Sequence, residues 1–120
     1  MKWDFDNDRP IYQQIVEHLE HAIARGEYRP GDKMPTVREL AANAGVNPNT
    51  MQRALAELEH EGLLIAKRTS GRFVTEDSAR IDEMRGDIAA AHTTTYMAAM
   101  GELGFKKKEI IEIIEGQNAE

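Results

Sequence analysis

Residues 35–64 read PTVRELAANAGVNPNTMQRALAELEHEGLL, a stretch that predicts two helices on either side of a tight corner. Thr36 is placed to cap the first helix, and Glu39, three residues on, to reach back to the cap amide. Val37, Leu40, Ala41 and Ala44 recur at helical spacing and give that helix one apolar face. Gly45 permits the reversal, and Val46 tucks into the corner. Asn47 and Pro48 suit the cap and first position of a second helix, since proline there forgoes an amide that has no intrahelical partner anyway. The second helix is expected to run to Gly62, a left-handed terminator.

The second helix divides by face. At about 100° per residue, Met51, Ala54, Leu55 and Leu58 share the side that should meet the core. Asn49, Gln52, Arg53 and Ala56 share the other: two amides, a guanidinium and a methyl, with no acid among them. Amides pair bidentately with adenine and arginine with guanine, and a small methyl permits close approach to thymine. The acids Glu57, Glu59 and Glu61 come later, away from the end that usually enters a groove. Helix, glycine-containing turn, helix is a framework that DNA readers use to seat a second helix in the major groove.

A chain of 120 residues is one domain, or one small domain with an accessory segment. It has no apolar run long enough to span a bilayer and no charged-then-apolar leader, so no membrane partner and a cytoplasmic location are expected. Absence of cysteine excludes disulfides and thiolate metal sites. The net charge of −6 is unevenly spread. Residues 1–32 carry −3 and residues 76–120 carry −5. Residues 33–75 are positive, with Lys33, Arg38, Arg53, Lys67, Arg68 and Arg72 against Glu39, Glu57, Glu59 and Glu61. Phosphate attraction is screened over about 8–10 Å, so the local sign outweighs the total.

Before the helix pair, residues 1–9 alternate Trp3 and Phe5 with Asp4 and Asp6, which fits either a short extended arm with one apolar edge or a frayed terminus. Pro10 opens a helix with a stripe of Ile11, Ile15, Leu19 and Ile23, widened by Tyr12, Val16 and Ala22 and ended by Gly26. After Gly62, LLIAKR, TSG and RFVTE read as strand, turn and returning strand, a wing with Lys67, Arg68 and Arg72 around Ser70 and Gly71. From Ser78 the chain is helical and acidic. Ile81, Met84, Ile88, Ala91, Thr95 and Ala98 repeat at the spacing of a helix-on-helix seam. Gly101 and Gly104 break the pattern before a last helix with Ile110, Ile111, Ile113 and Ile114. So many isoleucines in so short a helix predict pairing with a second copy, through Ile81, Met84, Ile88, Ala91, Ile110, Ile113 and Ile114. Lys106 to Lys108 crowd the start of that helix, where positive charge opposes the dipole.

From Pro10 to Val74 the chain resembles the GntR family of bacterial transcription regulators, and in particular its short YtrA-like branch. The resemblance runs through PIYQQI, GEYRPGDKMPTVRELA, GVNPNTMQRALAELEHEGLL and the wing GRFV. It implies an arginine contact with DNA at Arg38, a recognition helix beginning over Asn47 to Arg53, and a wing glycine at Gly71. It also implies an operator that is a short inverted repeat. Pro48 and Gln52 stand where many members have arginine, and the wing has TSGR where a second glycine is often found. The tail resembles that of the short branch and is too small for the large effector or aminotransferase-like domains of other branches.

The expected protein is mainly α with a small β-hairpin: an arm (1–9), a winged helix-turn-helix (10–76, with the helix pair at about 36–55 and the wing at about 64–75) and a helical dimerisation tail (77–120). As a homodimeric regulator of double-stranded DNA, a repressor by what the resemblance implies, it would read bases with Asn49, Gln52 and Arg53. Arg38, Thr50 and Arg72 would hold phosphates, and Asn47, Ser70 and Gly71 complete the expected DNA-binding set. The competing reading is a winged helix that docks a protein partner. No cofactor, metal or catalytic role is expected. His18 and His21 with Glu17 lie one turn apart but lack a third ligand at metal spacing. Any small-molecule effector would have to use the cleft between tail and DNA-binding part, or the dimer seam.

Overall fold

The computed structural model describes residues 3–117; the outermost ends of the expected arm (1–2) and tail (118–120) lie outside the described residues. In chain order the elements are α1 (Ile11–Ala24), α2 (Val37–Ala44), α3 (Pro48–His60), β1 (Leu64–Lys67), β2 (Gly71–Val74), α4 (Ser78–Glu102) and α5 (Lys107–Glu115). They form two compact units, the first running through Met84 and the second beginning at Arg85.

In the first unit α3 is central, packed against α1, α2 and β1. Its apolar side, Met51, Ala54, Leu55 and Leu58, is buried, as are Ile15, Leu19, Ala22 and Ile23 of α1 and Leu40 and Ala41 of α2. Each large side chain so buried contributes about 1.5–3 kcal/mol. The α2–α3 corner is built locally. Thr36 Oγ1 accepts from the Glu39 amide at 3.1 Å, while Glu39 Oε1 accepts from the Thr36 amide at 2.9 Å. Those two bonds hold the Glu39 carboxyl below the usual carboxylate range. Gly45 ends α2 at φ +71°, where a Cβ would be strained, and the Val46 amide reaches the Ala41 carbonyl at 3.0 Å. Asn47 caps α3 by accepting from the Asn49 amide at 2.7 Å, with Pro48 at the first position.

The hairpin pairs Leu64 with Val74, Ile65 with Phe73, Ala66 with Arg72 and Lys67 with Gly71. Leu64 and Val74 face the core. The connector before α2 runs along the other edge of β2: the Met34 amide donates to the Arg72 carbonyl and the Val74 amide to the Asp32 carbonyl, both at 2.8 Å. The wing root is therefore bonded on both sides, by pairings of residues 38 and 42 positions apart that no local pattern announces.

From Trp3 onward the arm is tied down rather than frayed. The Trp3 ring stacks on His18 with centroids 4.0 Å apart, and its Nε1 donates to Asn43 Oδ1 at 2.9 Å. Buried Gln14 accepts from the Asp6 amide (2.7 Å) and donates to the carbonyls of Asp6 (2.9 Å) and Arg9 (3.0 Å). Burial lowers the His18 pKa, so this ring is neutral under ordinary conditions.

Ile81 and Met84, at the start of α4, are buried in the first unit. In the second unit Ile110 is buried, Ile88 and Ile113 are half-buried, and Ala91 is exposed. Three residues of the expected dimer seam, Ile81, Met84 and Ile110, are thus covered by their own chain. Leu103 (71% exposed), Ile114 (53%) and Ile111 (45%) are not, and Tyr96 and Phe105 are also exposed. The lysines at the start of α5 have a local counterweight: Glu109 Oε1 accepts from the Lys106 amide at 2.9 Å, putting a carboxylate in the first turn.

Candidate nucleic-acid interface

Burial of the apolar side of α3 turns Asn49, Gln52, Arg53 and Ala56 outward, and all four are exposed. Thr50 is half-buried beside them. Asn47 is exposed, but its carbonyl oxygen is engaged in the cap, so its first role is structural. Arg38 projects from the first turn of α2 and is exposed. At the wing, Ser70 and Gly71 are exposed at the tip, Gly71 with φ +101°.

Arg72 departs from the sequence expectation. Its guanidinium ion-pairs with Glu59 on α3, and the side chain is only 19% exposed. An arginine held by a carboxylate in this way fastens the wing to the helix, and its charge is already offset. The expected phosphate contact at Arg72 needs that pair to open. Lys33 takes a place by the wing that the sequence did not suggest: it bridges to Phe73 and its Cε lies 3.6 Å from where a Cβ on Gly71 would be. Lys67 lies over the Phe73 ring at 4.5 Å. Lys33, Lys67 and Arg68 are exposed, so the hairpin with its added edge carries a basic rim.

Arg53 has a partner the sequence did not single out. Its Cζ sits 3.7 Å from the centroid of the Tyr12 ring, on the first turn of α1. Tyr12 also borders an open cavity of about 310 Å³ with Gln13, Val16, Glu17, Glu20, Glu57 and Glu61, on the acidic flank of α1 and α3. Here the Glu20 carboxyl is pushed up to about 7, first by burial, then by its hydrogen bond to and repulsion from Glu61. Glu61 Oε1 is buried without a hydrogen-bond partner among the described residues, so a proton on Glu20 has an acceptor residue beside it. The basic rim and the acidic flank explain how a chain of net charge −6 keeps one positive surface.

His18 is occupied by Trp3, and His21 Nδ1 lies 2.7 Å from the Glu17 carbonyl. Among the described residues no cluster of three or more His, Asp or Glu has metal-binding geometry. No helix among them is long and apolar enough to cross a membrane.

Two packed helices joined by a left-handed glycine, with a hairpin following and a third edge on that hairpin, define a winged helix-turn-helix. The profile of the GntR family, bacterial regulatory proteins, matches residues 11–74, and the chain belongs to that family of transcription regulators. It is 37% identical over 111 residues to the uncharacterized HTH-type transcriptional regulator YhcF of Bacillus subtilis, covering 92% of each chain. It is 42% identical over 69 residues to the HTH-type transcriptional repressor YtrA of the same organism, covering 58% of this chain and 53% of the relative. These likenesses agree with the YtrA-like branch. Among solved structures, a GntR family regulator from Listeria monocytogenes superposes with a TM-score of 0.87 at 41% identity, covering 95% of this chain and all of the other. The DNA-binding domain of AraR, solved in complex with operator ORX1, gives a TM-score of 0.58 at 30% identity, covering 62% of this chain and 96% of the other. These relatives are regulators rather than enzymes.

Proposed function

We propose that the chain is a homodimeric, sequence-specific DNA-binding repressor, acting in the cytoplasm on a short inverted-repeat operator. The observation that carries this reading is the outward face of α3, where Asn49, Gln52 and Arg53 are exposed with no acid among them. Arg53, Gln52 and Asn49 read base edges; Arg38, Thr50, Ser70, the Gly71 backbone and Lys33 meet phosphates. Asn47 shapes the helix start, and Arg72 joins the phosphate contacts once released from Glu59. The likeness to the repressor YtrA and to an AraR domain bound to its operator supports both repression and DNA as the partner.

Support for a second copy comes from the tail, where Leu103, Ile111 and Ile114 leave apolar surface in water. A two-fold pair places two recognition helices about 34–36 Å apart, one turn of DNA. Selection from random oligonucleotides with the purified protein tests the whole reading and is expected to return an inverted repeat. On that operator Arg53→Ala should cost about 1–3 kcal/mol and relax base preference. Equal losses on operator and random DNA would remove base readout; absence of DNA binding at low salt would leave a protein-docking module instead.

A further inference from the structure

We infer that Tyr12 is a positioning residue for base readout: its ring is the platform that holds the Arg53 guanidinium extended on the outer side of α3. The inference rests on the proposal that Arg53 reads bases, and it says what makes that reading selective.

The contact joins residues 41 positions apart and is a face contact, Cζ lying 3.7 Å from the ring centroid. A guanidinium stacked on an aromatic face keeps the N–H donors on its edge for other partners. Other arginines here are held differently. Arg9, Arg25 and Arg72 give N–H groups to Glu17, Glu27 and Glu59, and Arg80 Nε donates to the Glu61 carbonyl. Among the described residues Arg53 has no hydrogen-bond or ion-pair partner, so it is held with its donors unspent.

The platform also guards against a rival. Glu57 lies four residues after Arg53, the spacing at which a helical arginine and glutamate pair, and it borders the acidic cavity that Tyr12 also lines. An Arg53 drawn down to Glu57 would spend on a carboxylate the donors a base edge needs. Tyr12 is itself held: it is half-buried, and its helix α1 packs along α3 with Ile15 and Val16, one turn on, buried. Ordering a long side chain before DNA arrives removes that entropy from the cost of binding.

A double-mutant cycle tests this, with wild type, Tyr12→Leu, Arg53→Ala and the double variant titrated against the selected operator and against random DNA. Tyr12→Leu is expected to weaken operator binding about tenfold, or about 1.4 kcal/mol, and random DNA no more than about twofold. In the Arg53→Ala background it should cost nothing further. Tyr12→Phe, which keeps the ring, should bind as wild type does. If Tyr12→Leu melts early, Tyr12→Met takes its place in the cycle. The inference is overturned if Tyr12→Leu binds normally, if its loss persists in the Arg53→Ala background, or if Tyr12→Phe loses as much, which would make the hydroxyl the active group. An Arg53→Ala protein that keeps full operator selectivity would instead bring down the base-readout proposal and this inference with it.

Discussion

Replacing Glu20 by glutamine should stabilise the first unit at pH 8 and change it little at pH 4. Glu20 on α1 is half-buried, faces Glu61 after α3, has Glu17 on its own helix, borders a cavity with Glu57, and is opposed only in part by Arg80 from α4. Its carboxyl is pushed up to about 7, while in the unfolded chain it returns to about 4.3. Between those values the folded protein keeps a proton that the unfolded chain releases. Stability is therefore fully present below about pH 4.3 and is lost as pH rises toward 7. That difference corresponds to roughly 3–4 kcal/mol, and partial exposure reduces this to about 1–2 kcal/mol. Glutamine brings a neutral donor that can bond Glu61 Oε1 at every pH, so the variant should recover that amount above pH 7. Urea unfolding of wild type and variant at pH 4, 6 and 8 measures it. Trp3, the single tryptophan, sits on His18 in this unit and serves as the fluorescent probe. Parallel pH profiles for the two proteins, or a less stable variant at pH 8, would refute the reasoning.

Gln14→Ala removes three hydrogen bonds to the arm and should cost about 1–3 kcal/mol in urea, with Trp3 emission moving to the red as the arm lifts away; unchanged emission would mean the arm is held elsewhere. Glu59→Gln releases Arg72 before DNA arrives, so binding to random DNA should tighten, and the further change Arg72→Ala should undo the gain and flatten the slope of log K against log salt by about one; an affinity unmoved by either change would show that Arg72 does not reach phosphate. Paired substitution of Ile111 and Ile114 by aspartate should convert dimer to monomer by sedimentation without lowering the first unit's unfolding midpoint, because both side chains are exposed on the second unit. A dimer that survives this change would move the seam away from α5.

Much of the α2–α3 pair was legible because its determinants lie within four residues of one another. Thr36 and Glu39 make their reciprocal cap, Asn47 and Pro48 start α3, and Gly45 and Gly62 take positive φ as the corner and the terminator require. The period of the apolar residues then decided which side of α3 faces water, and with it the exposure of Asn49, Gln52 and Arg53. Periodicity marks a residue as apolar-facing but does not say what covers it. Ile81 and Met84 follow the spacing of a helix-on-helix seam and Ile110 belongs to the isoleucine run expected to pair, yet their own chain buries all three.

Charge is ambiguous in the same way. Arg53 and Arg72 are both cations near acids in the sequence, and only the packing of α1 and the hairpin on α3 gives one an aromatic face and the other a carboxylate. Local chemistry, encoded in neighbouring residues, determined the helices, the corner and the wing. The choice of long-range partner depends on how elements pack in space, and that decided which cation lies on an aromatic ring and which is committed to a carboxylate.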